Sequence, residues 1–292
     1  MTNQTAADYW SSNYFSESFN RSEWQAHPYA LARLKSLLDD KVREQWFADT
    51  YISDRTVKRA LGIGVGRAET EIGLLATGKV EHYDLWDISP VGLEHAKAVA
   101  TSHGWGDRVT CHHGDFSSFD LKPDTYDLVT FVASLHHFSD QPDILGKVRQ
   151  GLKPGGLLWA ANEYIGPDRF DYPPEHKRIA ELFHARLPES LRKHGLPQII
   201  FPTAAEVEAA DPSESPASSQ IVDAVRTVFP NSKVVSLYGC LPFTLFWGLN
   251  HDALYDTIEG RELVRFVMDM DVALTDAGVL PVYFAHLIGW RD

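Results

Sequence analysis

ALGIGVGRAETE, residues 60–71, sets glycines on alternate positions, Gly62, Gly64 and Gly66, directly after a short apolar run. Glycine carries no Cβ, so a turn of this kind between a first strand and a first helix lets backbone approach a nucleotide-like ligand closely. The loop alone leaves the ligand open. A dinucleotide fingerprint requires G-x-G-x-x-G. Counting from Gly62 the sixth position is Arg67, and counting from Gly64 it is Glu69, so that pattern fails.

The surroundings of the loop define the fold. From residue 56 to 162 short apolar runs alternate with helical patterns, the signature of βαβ units on a parallel sheet. VKRALGI (57–63) is the first strand and ETEIGLLATG (69–78) the helix after it, stopped by Gly78. VEHYDLWDI (80–88) is the second strand. SPVGLEHAKAVATSHG (89–104) follows as a helix, with Ser89 as N-cap, Pro90 at its first position and Gly104 at its end. RVTCHH (108–113), YDLVTFVAS (126–134) and GGLLWAAN (155–162) supply three further strands, and Asp140 caps the helix DQPDILGKVRQGL.

Residues 1–55 form a helical prefix, clearest in HPYALARLKSLLDD (27–40). Beyond residue 162 the rhythm breaks. PPEHKRIAELFHARLPESLRKHG (173–195) reads as helix, DPSESPASS as loop, IVDAVRTVF (221–229) as helix and KVVSLYG (233–239) as strand. HDALYDTIEGRELVRFVMDMDVALTDAG (251–278) reads as one long helix and VYFAHLIGW (282–290) as the last strand. The expected organisation is an N-terminal lid over 1–55 and a core domain over 56–292, with helical cover inserted at about 163–229 and 241–280.

A formal net charge of -13 leaves no basic surplus to neutralise phosphates, and no Lys/Arg-rich run occurs. This excludes nucleic acid and an anionic membrane surface as expected partners and leaves a small molecule. Only two cysteines occur, Cys111 and Cys240, both in apolar runs, so neither a disulfide framework nor a Cys-ligated zinc site is expected. No secretory leader and no membrane-spanning apolar stretch are present, and the expected location is the cytoplasm. A homodimer stays open.

Further positions narrow the ligand. Asp87 ends the second strand, where a carboxylate accepts both hydroxyls of a ribose. Gly114-Asp115-Phe116 follows the third strand, where a carboxylate accepts from an adenine amino group. The ordered set of glycine loop, DIS (87–89), GDF (114–116), YDLV (126–129), SLHHF (134–138) and LKPGG (152–156) resembles the class I S-adenosylmethionine (SAM)-dependent methyltransferases. The resemblance implies an α/β, Rossmann-like sheet, mostly parallel with its last strand antiparallel, under a helical cover. It implies SAM as cofactor and S-adenosylhomocysteine as product. It places Gly62, Gly64 and Gly66 at the methionine portion, Asp87 at the ribose, Ile88 against the adenine, Asp115 and Phe116 at the adenine edge, and Ala133 and Ser134 at the amino group. The chain departs from the family at Gly62, where Asp or Glu is usual and helps hold the ammonium group of SAM, and at Ala68, where another glycine is usual. Tyr9, Trp10, Tyr14 and Trp24 in the prefix resemble the aromatic lid of small-molecule methyltransferases, and an aromatic wall suits a sulfonium cation. Their plainer reading is as anchors of a helix on the sheet.

Methyl transfer from a sulfonium is an in-line displacement in which orientation and exclusion of water do most of the work. A general base is needed only when the acceptor is protonated at neutral pH, as an alcohol is. His136 and His137, at the end of the fourth strand, and Glu163, after the fifth, reach the ligand-binding edge and are the candidates for that role; each also has a structural reading. Arg169 is a candidate for an acidic acceptor or a surface ion pair. His112 and His113 are adjacent on a strand and point to opposite faces, and no other group shows ligand spacing, so no metal is expected. The expected activity is methyl transfer to a small molecule, O-methylation first. The alternatives are a SAM-binding pseudo-enzyme, prompted by Gly62 and Ala68, and a NAD-type oxidoreductase, which the failed fingerprint and the GDF motif oppose.

Overall fold

A computed structural model of the chain describes residues 3–13, 21–116 and 121–292. Seven strands form one sheet: β1 (Ala60–Ile63), β2 (Tyr83–Asp87), β3 (Val109–His113), β4 (Tyr126–Val132), β5 (Leu152–Tyr164), β6 (Lys233–Ser236) and β7 (Phe284–Trp290). Their order is β3-β2-β1-β4-β5-β7-β6. β1 to β5 pair in parallel, and β7 runs antiparallel to both β5 and β6. β1 lies between β2 and β4, so the strand order reverses there, and a crevice opens at the carboxyl ends of β1 and β4.

The sheet is covered on both faces, which is why β1 is buried at every position and reads as a continuous apolar run. Ser89 and Asp140 cap their helices as the sequence predicts, accepting from Gly92 N and Asp143 N. The long helical pattern after residue 251 is broken at Thr257, whose hydroxyl accepts from Gly260 N and starts a new helix, Ile258–Asp276. A Cβ at Gly260 would lie 2.0 Å from Ala253 O, so glycine is what allows the two helices to meet. The pattern from residue 173 similarly yields one helix, Pro174–His184, and then short turns.

The prefix divides into parts with different roles. Residues 43–52 belong to the sheet's own core: Phe47 is fully buried and stacks on Trp159 of β5 at 3.9 Å. The first helix, Asn3–Asn13, lies instead over the crevice. The cover divides too, since helix Ile221–Val228 packs on helix Gln141–Gly151 against the far face of the sheet. Asp271 is buried and accepts from Gly239 N and Leu241 N, so it caps a neighbouring helix, Cys240–Leu245, rather than its own. Among the described residues no helix is long and apolar enough to cross a membrane.

Truncating a fully buried ring that has no room to collapse costs about 3 to 5 kcal/mol. Phe47→Ala is expected to lose that much in chemical denaturation. A loss under about 1 kcal/mol would place residue 47 in a detachable lid.

Candidate active site

Two loops build the floor of the crevice. Gly64 N donates to Trp86 O, and Gly64 has φ +64°; a Cβ there would lie 2.8 Å from Ser134 Cβ, so glycine is what lets the loop after β1 touch the loop after β4. Gly66 N donates to Asp87 Oδ2 (2.7 Å), while Ser89 N donates to Asp87 Oδ1 (2.7 Å). Asp87 is thereby fixed at the end of β2. Each of its oxygens keeps lone-pair capacity for a further donor. Ala68 sits at φ +54° as the N-cap of helix Glu69–Ala76, a left-handed position that glycine would hold without strain.

Gly62 has a specific neighbour. A Cβ at this position would lie 2.6 Å from Val65 Cγ1, 3.1 Å from Glu71 Cγ and 3.2 Å from Glu71 Oε1. Glu71 comes from the first turn of the following helix, is 1% exposed, and accepts from Thr130 Oγ1 of β4 (3.1 Å). The space beside the loop where the sequence lacks a carboxylate is therefore occupied by a carboxylate from another element. Burial pushes the Glu71 carboxyl up to about 7. A signal for it exists in the sequence: residue 71 shares a helix face with Leu74 and Leu75, so the pattern sets an acid on the apolar side.

At the carboxyl ends of β2 and β3 Ile88 is half-buried, and its carbonyl bonds His113 Nε2 (3.0 Å). Trp86 Nε1 donates to Gly114 O, and the Trp86 ring meets Phe116 edge to face at 5.9 Å. Phe116 is buried and Asp115 partly so. Ala133 is exposed in the crevice, with φ +49°. Ser134 Oγ donates to Ile63 O (2.7 Å), tying the two loops together.

Glu163 organises the end of β4. It is fully buried; its Oε1 accepts from Ser134 N and Leu135 N, and its Oε2 accepts from His136 N and from His136 Nδ1 (2.9 Å). With four donors on two oxygens and no accessible surface, Glu163 does not fit the general-base role expected of it. The geometry makes it a positioning residue. Burial disfavours the His136 imidazolium, but the hydrogen bond to Glu163 and the charge of Glu214 outweigh this and hold its pKa above the usual histidine value. His137 is pushed the other way by burial and by the charge on His136. Its Nδ1–H donates to Ser213 O (3.1 Å).

Residues from the cover complete this end. Glu214 Oε1 lies 3.8 Å from His136 Nε2, and one ligand atom from each of His136, His137 and Glu214 lies within 4.8 Å of the other two. This corrects the expectation that no group of metal-ligating residues would assemble: Glu214 is remote in sequence, so spacing did not reveal it. Arg169 donates to the carbonyls of Asp211, Pro212 and Glu214 and so holds the loop that carries Glu214, a structural role rather than acceptor binding. Glu23 is exposed at one side, while the protein packed around the other and the nearby Glu214 charge push its carboxyl up to about 7. The first helix closes the crevice from above: Ser11 Oγ bonds Ser89 Oγ (2.8 Å), and the Trp10 ring meets His137 at 5.3 Å. Trp24 is elsewhere, buried against Phe284 in the core of the cover. Tyr14 lies outside the described residues.

The strand order, the switch point and the two touching loops define a doubly wound nucleotide-binding domain whose ligand crevice lies at β1, β2 and β4. Residues 60–156 match the methyltransferase domain family, and this part of the chain is a class I SAM-dependent methyltransferase domain. Two curated relatives share part of the chain. 27-O-demethylrifamycin SV methyltransferase of Amycolatopsis mediterranei is 26% identical over 128 residues, 44% of this chain and 47% of that one. The mitochondrial arginine-hydroxylase NDUFAF5 of Danio rerio is 31% identical over 153 residues, 51% of this chain and 44% of that one. The chain thus spans less than half the length of these relatives. Geranyl diphosphate C-methyltransferase of Streptomyces coelicolor A3(2), solved with Mg2+, geranyl-S-thiolodiphosphate and S-adenosylhomocysteine, shares the fold at TM-score 0.53 and 12% identity, over 86% of this chain and 75% of that one.

Because the folded Glu71 carboxyl titrates at about 7 against about 4.5 for a free side chain, the native state retains a proton there that the unfolded chain has released. Stability therefore falls as pH rises through that window. Glu71→Gln is expected to match the wild type in thermal unfolding near pH 5 and to exceed it at pH 8, by at most about 3 kcal/mol. Parallel pH profiles for the two proteins would contradict this account of Glu71.

Proposed function

We propose that the protein is a SAM-dependent methyltransferase that acts on a hydroxyl group of a small molecule. The observation that carries this reading is the close approach of the loops after β1 and β4 at Gly64 and Ser134, with Asp87 fixed beside them at the end of β2. This cradle fits an adenosine with an amino-acid tail. Asp87 accepts from the ribose hydroxyls, Ile88 and Phe116 flank the base, and Asp115 with the Phe116 backbone reads its edge. Gly64, Gly66, Ala133 and Ser134 receive the methionine portion. Glu71 stands beside Gly62 with the carboxylate that the loop lacks, which supports turnover over the pseudo-enzyme reading.

SAM, when bound, supplies an electrophilic methyl group on a sulfonium. The chain's own residues orient and enclose the partners. The first helix bridges from Ser89 to His137 and excludes water over the crevice. Glu163 fixes the His136 ring, and His136 and His137 face the acceptor with Glu214. An acceptor whose proton must be handled uses such a group, whereas a carboxylate acceptor needs none, and this favours a hydroxyl. The relative named for 27-O-demethylrifamycin SV is in keeping with O-methylation. The reduced thiols Cys111 and Cys240 suit a cytoplasmic setting.

Calorimetry with SAM is expected to show one site per chain. Asp87→Ala is expected to weaken it by about 1 to 3 kcal/mol through the lost ribose bonds. Glu71→Gln is expected to weaken it roughly tenfold, about 1.4 kcal/mol. Transfer of labelled methyl to hydroxylated small molecules then reports the acceptor. No heat of binding at millimolar SAM would overturn the reading.

A further inference from the structure

The acceptor end of the crevice holds more than the two imidazoles that the sequence singles out. His136 Nδ1–H donates to Glu163, and His137 Nδ1–H donates to Ser213 O; a carbonyl can only accept, so a neutral His137 carries its lone pair on Nε2. An imidazole whose Nδ1–H is fixed by a carboxylate or a backbone carbonyl is the arrangement that prepares a metal-ligating histidine. Here both members of the pair have it.

Glu214 is prepared as well. Ser215 Oγ donates to Glu214 Oε1 (2.6 Å), and the Arg169 guanidinium binds the carbonyls of Asp211, Pro212 and Glu214 itself. One ligand atom from each of His136, His137 and Glu214 lies within 4.8 Å of the others. An ion among them would then sit no more than about 2.8 Å from each, and a small inward turn of the side chains reaches the roughly 2.1 Å of a metal–nitrogen bond.

The local charge points the same way. Asp211, 2% exposed, has its Oδ2 buried without a hydrogen-bond partner, and its charge is felt at both His136 and His137. Glu23 adds another carboxyl beside Glu214. Against these and Glu163, Arg169 is the fixed cation that acts on Glu214 among the described residues. The enclosure is short of positive charge.

We propose that His136, His137 and Glu214 form a three-ligand site for a divalent cation of the zinc type, with its remaining position open to an oxygen of the acceptor. Two imidazoles and one carboxylate suit such borderline ions better than Mg2+ or Ca2+, which prefer oxygen donors throughout. Three protein ligands and an open position are the arrangement of a catalytic rather than a structural site. The ion would hold the acceptor's hydroxyl and lower its pKa, so that its proton passes to solvent as the oxygen binds, the methyl group then moves from the sulfonium to that oxygen with S-adenosylhomocysteine as leaving group, and the histidines act through the ion. This role rests on the methyltransferase reading, but the binding of the ion does not.

The test uses the full chain, stripped with chelator and titrated with Co2+ alone, followed by the visible absorption of the bound ion and by calorimetry. One ion per chain is expected, with affinity falling at least 100-fold in Glu214→Gln and in His137→Gln. SAM titrated into the same samples reports whether the variants are folded and whether the cofactor site exists independently. Co2+ binding that is weaker than millimolar, or that is the same in wild type and both variants, would overturn the metal site. Failure to bind SAM with Co2+ binding intact would instead overturn the methyltransferase reading.

Discussion

The Glu163 carboxylate accepts from three successive backbone N–H groups, of Ser134, Leu135 and His136, and from the His136 ring. Through these bonds the end of β5 dictates the end of β4. The turn at Ala133 and Ser134 that faces the glycine loop, and the direction in which His136 presents its free nitrogen, both follow from one buried side chain. A neutral or shorter replacement leaves buried N–H groups without an acceptor, at a cost of about 1 to 3 kcal/mol each. Both halves of the crevice depend on it: Ser134 Oγ reaches back to Ile63 O, while His136 Nε2 faces Glu214 in the cover.

Three buried carboxylates line this edge of the sheet, and their environments differ. Asp87 and Glu163 recover much of their lost hydration from backbone N–H groups. Glu71 has the Thr130 hydroxyl and its own backbone amide, and its carboxyl is pushed up to about 7. A fold built for stability alone would set an apolar side chain there, on the same face as Leu74 and Leu75. The carboxyl is retained at the one place where the loop, for lack of a side chain at Gly62, has room for it.

The sheet is legible in the sequence because each strand from 57 to 162 is a short apolar run closed by a turn or a cap: Gly78, Ser89 with Pro90, and Asp140 mark boundaries that the structure keeps. The glycine loop, Asp87 and Ser134 come together at the ends of β1, β2 and β4. The cover is not legible in the same way. The run from residue 251 to 278 keeps a helical period across Thr257, and a single hydroxyl cap with a glycine contact, rather than a change of period, breaks it. Phe47 cannot be assigned to the core from sequence, because its partner Trp159 lies more than a hundred residues away. Glu214 escapes for the same reason, since proximity to His136 is a property of the packed chain, whereas Glu71 is marked in the sequence only as an acid on the apolar face of its helix. Glu163 stands out in the sequence as a general base, yet in the fold it is a clamp, because position on the sheet edge does not reveal how many donors a carboxylate already serves.

Ring nitrogen NMR of the histidines in the metal-free protein tests the Glu163 clamp most directly. The account predicts that His136 carries a proton on Nδ1 at every pH where the fold persists, titrates above the usual histidine value of about 6.5, and drops below that value in Glu163→Gln. A neutral His136 with its proton on Nε2 near pH 7, or one that titrates identically in both proteins, would contradict it.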